Sequence, residues 1–513
     1  MEAHQSHCIF RFPEENIEIS SDFDSGNLIR AEKQEPTKFF LWICTDSPNT
    51  NARGWFYFKV SVSELQTLTF HVKNIGNLTN LYKFGFRPVF SYDKQNWERI
   101  TSDFTAVPTP EGTEISFSHY FAEDSAYFAF TYPWSYEDNQ NFLDSISNPN
   151  IYIFRENLIS SVEGRKCDYL AISSFKGILE TDMMSNGPKE FSEKQLIVIS
   201  ARVHAAESGS SFMMNGLIKF LLSEDPRAIE LLDNFVFLLV PMLNPDGVYK
   251  GNMRFDTLGQ NLNRFYSDPI ISLHPTIFAI KELIVHNKER IFCYIDLHAH
   301  ASIKGIFIFG NYMNDFKKQV ETCLFPKLME INNVNFHWEQ CNFSDENMKA
   351  HDKNGDSREG SGRVGIFKAA GLLRCYTLEC NYHSGITTNN IPSPGIEESL
   401  IDDRNSVIYN NGSPAYDIKI FENVGKSICV SILDLIEKNQ YSRLRVTEFQ
   451  SIEDFKVHVA ENVAKLVPYR YFNEIRKIGK NKNALRELLC KKEEKEGNEN
   501  KAIAEEIKVN ENL

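Results

Sequence analysis

At 513 residues the chain is too long for one ordinary hydrophobic core, so two or three domains are expected. With 42% apolar, 24% charged and 12% aromatic residues it reads as globular, and a net charge of −14 argues against nonspecific nucleic-acid binding through a broad basic face. No apolar run approaches the roughly 18 residues of a membrane span, the first residues carry no secretory pattern, and the ten scattered Cys read as reduced thiols, so a cytoplasmic protein is expected.

Residues 1–155 read as an all-β sandwich. Phe39–Ile43, Trp55–Val60, Thr67–Val72 and Ala126–Phe130 are short strand-like runs separated by turn formers. A polar, helix-prone stretch from Ser135 to Leu143 leads out of this region. From 156 to 440 strands alternate with helices, which predicts an α/β domain with a largely parallel sheet flanked by helices. Gln195–Ser200 is a β-branched apolar run, and Ser208–Ser211 after it suits a helix N-terminus. Arg227–Asn234 reads as a helix, Phe235–Val240 as a buried strand and Pro241–Gly247 as a turn. Pro275–Glu289 reads as a helix opened by proline, Phe292–Leu297 as a strand, and Cys375–Leu378 as a strand ending at Glu379. The remaining 441–513 read as a helical, charged tail, with the run Lys491–Glu496 frayed or disordered.

The chemistry lies at the strand ends. His204-x-x-Glu207 follows the first strand, at the carboxyl edge where open α/β sheets bind ligands. The spacing alone is weak, since His286/Glu289 and His458/Glu461 share it. Its setting singles it out, together with His298 or His300 after a second strand and Glu379 after a third. His298 is favoured over His300 because it directly continues its strand, and Asp296 is a candidate to orient it. Two imidazoles and a carboxylate suit zinc and leave a fourth position for water, as hydrolysis requires.

Several motifs add to this set: Phe23–Leu28, Tyr132–Tyr136, Asn244–Val248, Asn261–Arg264, Glu359–Val364 and Tyr376–Tyr382. With them the chain resembles the cytosolic carboxypeptidases, zinc metallocarboxypeptidases related to carboxypeptidase A, and in particular their type-5 branch. The resemblance spans about residues 20 to 440. It implies one zinc ion held by His204, Glu207 and His298, with Glu379 as the base that takes a proton from water and returns one to the leaving amine. It implies that Arg254 stabilises the oxyanion and that Asn263 and Arg264 grip the substrate's terminal carboxylate. Arg358 and Arg363 are candidates for a basic pocket that receives a glutamate side chain. The implied reaction removes glutamate, branch-point glutamate included, from polyglutamylated proteins, with glutamylated tubulin tails the leading partner and microtubules or cilia the place. Three departures stand out: Ala205-Ala206 where the family has Pro-Gly, Ala299 where it has Gly, and His383 beyond the base. Alanine would strain the loop wherever a positive φ is required. Two rival readings remain, an inactive microtubule-binding relative and a zinc amidase or deacylase acting on a small amino-acid conjugate.

Overall fold

The computed structural model describes residues 7–179, 188–352, 355–393, 408–410, 413–466 and 482–490, so the run Lys491–Glu496 lies outside the described residues. The chain opens with two facing sheets. One has six strands, with Tyr57–Val62 and Ser125–Ala129 at its centre, and the other has five, including Lys38–Trp42, Thr67–Ile75 and Gly112–Tyr120. Alternation of buried and partly covered residues makes these strands two-faced. In Thr67–Ile75, Leu68, Phe70 and Val72 are fully buried, while Thr69 and His71 are only partly covered. Phe58, Phe70, Phe117 and Phe128 meet between the sheets with ring centroids 5.3–5.8 Å apart. The expected sandwich is what forms.

The helix Tyr136–Ser145 begins at Ser135, whose hydroxyl accepts from the Asp138 amide while the Asp138 carboxylate accepts from the Ser135 amide. Beyond it lies a seven-stranded sheet in the order Tyr152–Ser160, Lys166–Ser173, Phe235–Val240, Gln195–Ala201, Ile291–His300, Cys375–Asn381, Ile306–Phe309. The four strands from Phe235–Val240 to Cys375–Asn381 are parallel, and the flanking strands are antiparallel. The parallel strands are covered on both faces, which is why Phe235–Val240 is buried at every residue. The change of pattern expected near residue 155 falls inside Tyr152–Ser160, a strand that pairs only within this second sheet.

Ser208–Leu221, which lies against the strand Ile291–His300, and Ile418–Leu435 pack on each other at very short range. A Cβ on Gly216 would lie 2.1 Å from the Glu422 carbonyl oxygen, and one on Gly425 would lie 2.0 Å from that of Met213. The helix expected to reach Glu289 stops at His286, and a 3₁₀ turn, Lys288–Arg290, follows. The start of the expected tail is folded: Ile452–Leu466 buries Phe455, Val459 and Val463 against Val320, Leu324 and Leu328 of the helix Phe316–Asn332. The two regions share one core, in which Phe86 and Phe130 pack on Tyr382.

Candidate active site

Parallel strands end together, and this brings the predicted residues to one edge. Ala201, the last residue of its strand, stands opposite Leu297, and His298 stands opposite Glu379 in the ladder. The Glu207 carboxylate sits between the two imidazoles, with His204 Nδ1 2.8 Å from one oxygen and His298 Nδ1 3.0 Å from the other. The three donor groups are buried and lie within 4.8 Å of one another. Each far nitrogen is held: His298 Nε2 lies 2.8 Å from Asp296 Oδ2, and His204 Nε2 lies 3.2 Å from Asn261 Oδ1. Such outer partners aim the near nitrogens at a common point. His300 is not part of this cluster. Its Nδ1 accepts from the amides of Ser302 and Ile303.

Electrostatics sorts the groups. Burial, reinforced by Arg254, pushes His204 down to about 4, so its imidazole is neutral. Burial also opposes charge on His298, but Asp296 and Glu207 outweigh it and hold His298 well above the ordinary histidine range. Glu207 stays well below the usual carboxylate range despite burial, because His204 and His298 flank it. Glu379 goes the other way: burial, with Glu207 adding to it, outweighs His298 and pushes it up to about 7. Its Oε2 is buried and has no hydrogen-bond partner among the described residues.

The loop from His204 to Glu207 hangs on Arg202. This fully buried residue takes a positive φ of 57° and sends Nε and Nη2 to the Ala205 carbonyl. Its Nη1 reaches the Trp134 carbonyl, within the Tyr132–Tyr136 motif, and Ser211 Oγ. Arg202 carries the left-handed strain; Ala205, Ala206 and Ala299 do not have positive φ. The expected penalty for alanine at these positions is therefore absent, and the three methyl groups are buried without it.

Arg254 reaches over the donors, with Nη1 3.5 Å from His204 Nδ1 and 3.9 Å from Glu207 Oε1. The Phe23–Leu28 motif serves the segment that carries it. Ser25 Oγ donates to the Val248 carbonyl at 2.8 Å, and Asn27 Nδ2 donates to that of Gly251 at 2.9 Å. Asn263 is oriented by the Gly362 amide, which donates to its Oδ1 at 2.8 Å. Arg264 lies beside it but is already engaged: Nε and Nη2 donate to Asp352 Oδ2 at 3.1 and 2.8 Å. Gly360 must be glycine here, since a Cβ would lie 2.0 Å from the Arg264 carbonyl oxygen. Arg254, Asn261, Arg264 and Asp352 line a cleft of about 760 Å³ whose other wall is Asn49–Ala52 of the β sandwich.

The two basic-pocket candidates separate. Arg358 is half-buried, and its charge acts on both Arg264 and His300. Arg363 also feels the charge of Arg358, but its own guanidinium is enclosed. It is 3% exposed, and its guanidinium is committed to the Gly310 carbonyl and, at 2.9 Å each, to the side-chain oxygens of Asn311 and Asn347. A surface-like Arg in a glycine-rich loop gives no hint of such burial. Asn261, Asp296 and Asp352 also belong to the site. Asp296 had a legible signal, two residues before a strand-end histidine, and Asn261 opens the Asn261–Arg264 motif without a role being read for it; Asp352 had none.

Known proteins confirm the fold and the family. Residues 19–131 match the cytosolic carboxypeptidase N-terminal domain, and residues 141–323 match the zinc carboxypeptidase domain. Human cytosolic carboxypeptidase 6 is 31% identical, over 88% of this chain and 84% of its own length. The chain belongs to the cytosolic carboxypeptidase family. Bovine cytosolic carboxypeptidase-like protein 5 is 30% identical over 87% of the chain, which spans 66% of that relative's length. A metallo-carboxypeptidase from Burkholderia cenocepacia, 22% identical, shares the fold over 82% of this chain and 99% of its own, with a TM-score of 0.64. The family implies zinc, and the residues present fit it: two imidazole nitrogens and one carboxylate converge, each imidazole is anchored from behind, and Glu379 stands beside them with an oxygen that has no partner among the described residues. Among the described residues no helix is long and apolar enough to cross a membrane.

Proposed function

We propose that this cytosolic carboxypeptidase removes C-terminal glutamate from polyglutamylated proteins, glutamylated tubulin tails foremost, and that it works in the cytoplasm. The observation that carries the hydrolytic part is the convergence of His204, Glu207 and His298 beside Glu379, whose buried Oε2 has no hydrogen-bond partner among the described residues, with Arg254 reaching over them. His204, Glu207 and His298 would hold the zinc ion. When bound, zinc supplies Lewis-acid chemistry, polarising the scissile carbonyl and lowering the pKa of water.

The rest falls to the chain's own side chains. Glu379 takes a proton from the attacking water and passes one to the leaving amine, a task suited to a carboxyl held near 7. Arg254 meets the negative charge that develops on the carbonyl oxygen. Asn263 and Arg264 hold the terminal α-carboxylate, so that only a chain end places its last peptide bond at the centre. Arg358 adds positive charge close to Arg264, which favours an acidic residue at that end. Arg363 is removed from the pocket by its burial.

The branch-point glutamate is included in this reading. A glutamate on another's side chain still offers a free α-carboxylate, but the main chain continues on both sides of the scissile isopeptide bond. The wide cleft walled by Asn49–Ala52 supports passage of such a branched backbone. The test is mass spectrometry of two tubulin-tail peptides after incubation, one with a single γ-linked glutamate and one ending in several linear glutamates. Loss of glutamate from both is expected, more slowly as salt rises. Trimming of the linear peptide alone would remove the branch-point claim, and loss from neither would remove the deglutamylase reading.

A further inference from the structure

The turn that presents Arg254 is held from the other domain. Asp46 of the β sandwich is 3% exposed, and its carboxylate accepts three successive backbone amides: Met253 at 2.6 Å on Oδ1, then Arg254 at 2.7 Å and Phe255 at 2.8 Å on Oδ2. A backbone turn caught at three consecutive N–H groups has little freedom left. Asp46 is itself fixed, since its amide donates to the Ala52 carbonyl at 2.9 Å. The far side of the turn is tied to the metal loop, for the Met253 carbonyl accepts from the Ala206 amide at 3.2 Å, between His204 and Glu207. A continuous chain of hydrogen bonds therefore runs from the sandwich through the Arg254 turn to the donor loop.

We propose that Asp46 is a positioning residue for catalysis, which sets the height of the Arg254 guanidinium over the reacting carbonyl and so makes the β sandwich part of the oxyanion-stabilising machinery. The proposal rests on the role given to Arg254 above. The arrangement favours this over a plain interface contact. Ser25 and Asn27 already clasp the preceding segment, Val248–Gly251. The Asp46 carboxylate is instead spent wholly on the turn that bears the charged side chain. Geometry at that point matters because displacing a stabilising group by about 1 Å can cost roughly 10²-fold in rate.

The experiment is a double-mutant cycle on the zinc-loaded full chain with Asp46→Asn and Arg254→Ala. Asparagine has nearly the same shape, but it has one acceptor oxygen and points an NH₂ at the remaining amides. Asp46→Asn should lower kcat for a glutamate-terminated peptide by about 10- to 100-fold, with KM within about twofold and zinc content unchanged. In the Arg254→Ala background the same change should alter kcat less than about twofold, because the group it positions is gone. Binding supplies a readout apart from turnover. Affinity for a phosphinic peptide that mimics the tetrahedral state should fall with Asp46→Asn, while affinity for free glutamate stays level. Independent, multiplicative losses in the cycle, or a loss confined to KM, would overturn the proposal. A normal kcat in Arg254→Ala alone would instead refute the role given to Arg254. Should Asp46→Asn not fold, Asp46→Ser is read in the same cycle; failure of both to fold would place Asp46 in the stability of the core and overturn its positioning role.

Discussion

Removing the carboxylate of Asp296 should weaken zinc binding without touching a donor atom. His298 Nε2 and Asp296 Oδ2 are 2.8 Å apart, and their side chains are 2% and 0% exposed. The other Asp296 oxygen accepts from Ser200 Oγ at 2.7 Å, so the carboxylate is itself pinned. A hydrogen bond to a charged group contributes about 1.5–3 kcal/mol. Removing the partner behind a ligating histidine typically costs about 10- to 100-fold in metal affinity, which is about 1.4–2.8 kcal/mol. The two ranges agree. Asp296→Asn can keep an oxygen toward His298 and turn its NH₂ to Ser200, whose hydroxyl can then donate to Tyr294 Oη 2.9 Å away, so about tenfold is expected. Asp296→Ala leaves the buried His298 N–H unpartnered, while the Ser200 hydroxyl keeps Tyr294 Oη, so about 100-fold is expected, together with lower stability of the zinc-free protein. Competition against a chelating dye gives the zinc Kd, and urea unfolding in excess EDTA gives the zinc-free stability. A folded Asp296→Ala protein whose zinc Kd stays within about twofold of the parent would refute the reasoning.

Glu379→Gln keeps the shape of the side chain but cannot take up the proton. Turnover of a glutamate-terminated peptide should fall about 10²-fold or more at unchanged zinc content, and near-normal turnover would place the base elsewhere. Gly216→Ala puts a methyl group 2.1 Å from the Glu422 carbonyl oxygen, so the helices Ser208–Leu221 and Ile418–Leu435 must part. A loss of about 1–3 kcal/mol is expected, and an unchanged Tm would show that the contact can relax freely. Burial, aided by Arg99, pushes His383 down to about 3 in the folded chain, below its ordinary value of about 6.5. The unfolded chain therefore binds the proton first. Stability from this residue is complete above about 6.5 and is lost as pH falls toward about 3. His383→Asn should flatten the fall of urea midpoints across that window; an equally steep fall would exclude His383 as its source.

The chemistry was legible because it sits where the sequence is most patterned. Buried parallel strands are nearly continuous apolar runs, so Phe235–Val240 and Phe292–Leu297 declare themselves, and the polar residues that terminate such runs stand at one edge of the sheet. What escaped was contact between segments with no common periodicity. Asp46 and Met253 are 207 residues apart, and nothing near either one announces the other. Arg363 reads as a pocket cation because its partners, Gly310, Asn311 and Asn347, are loop residues brought together only by the fold. The alanines at 205, 206 and 299 looked costly for want of φ angles, while the strained residue was Arg202, whose side chain gives no local sign of it.

The pairing of Arg264 with Asp352 changes what recognition of a chain end means. A guanidinium standing bare would reward any carboxylate that reached it with a full new ion pair. Here an arriving carboxylate enters a site where one from the same chain is already bonded. The net gain is an exchange between two similar partners, small and weakly dependent on ionic strength. In the proposed reading, discrimination between substrates then falls to the side chain of the last residue. A terminal glutamate can still meet the charge of Arg358, whereas a neutral last residue finds only the exchange.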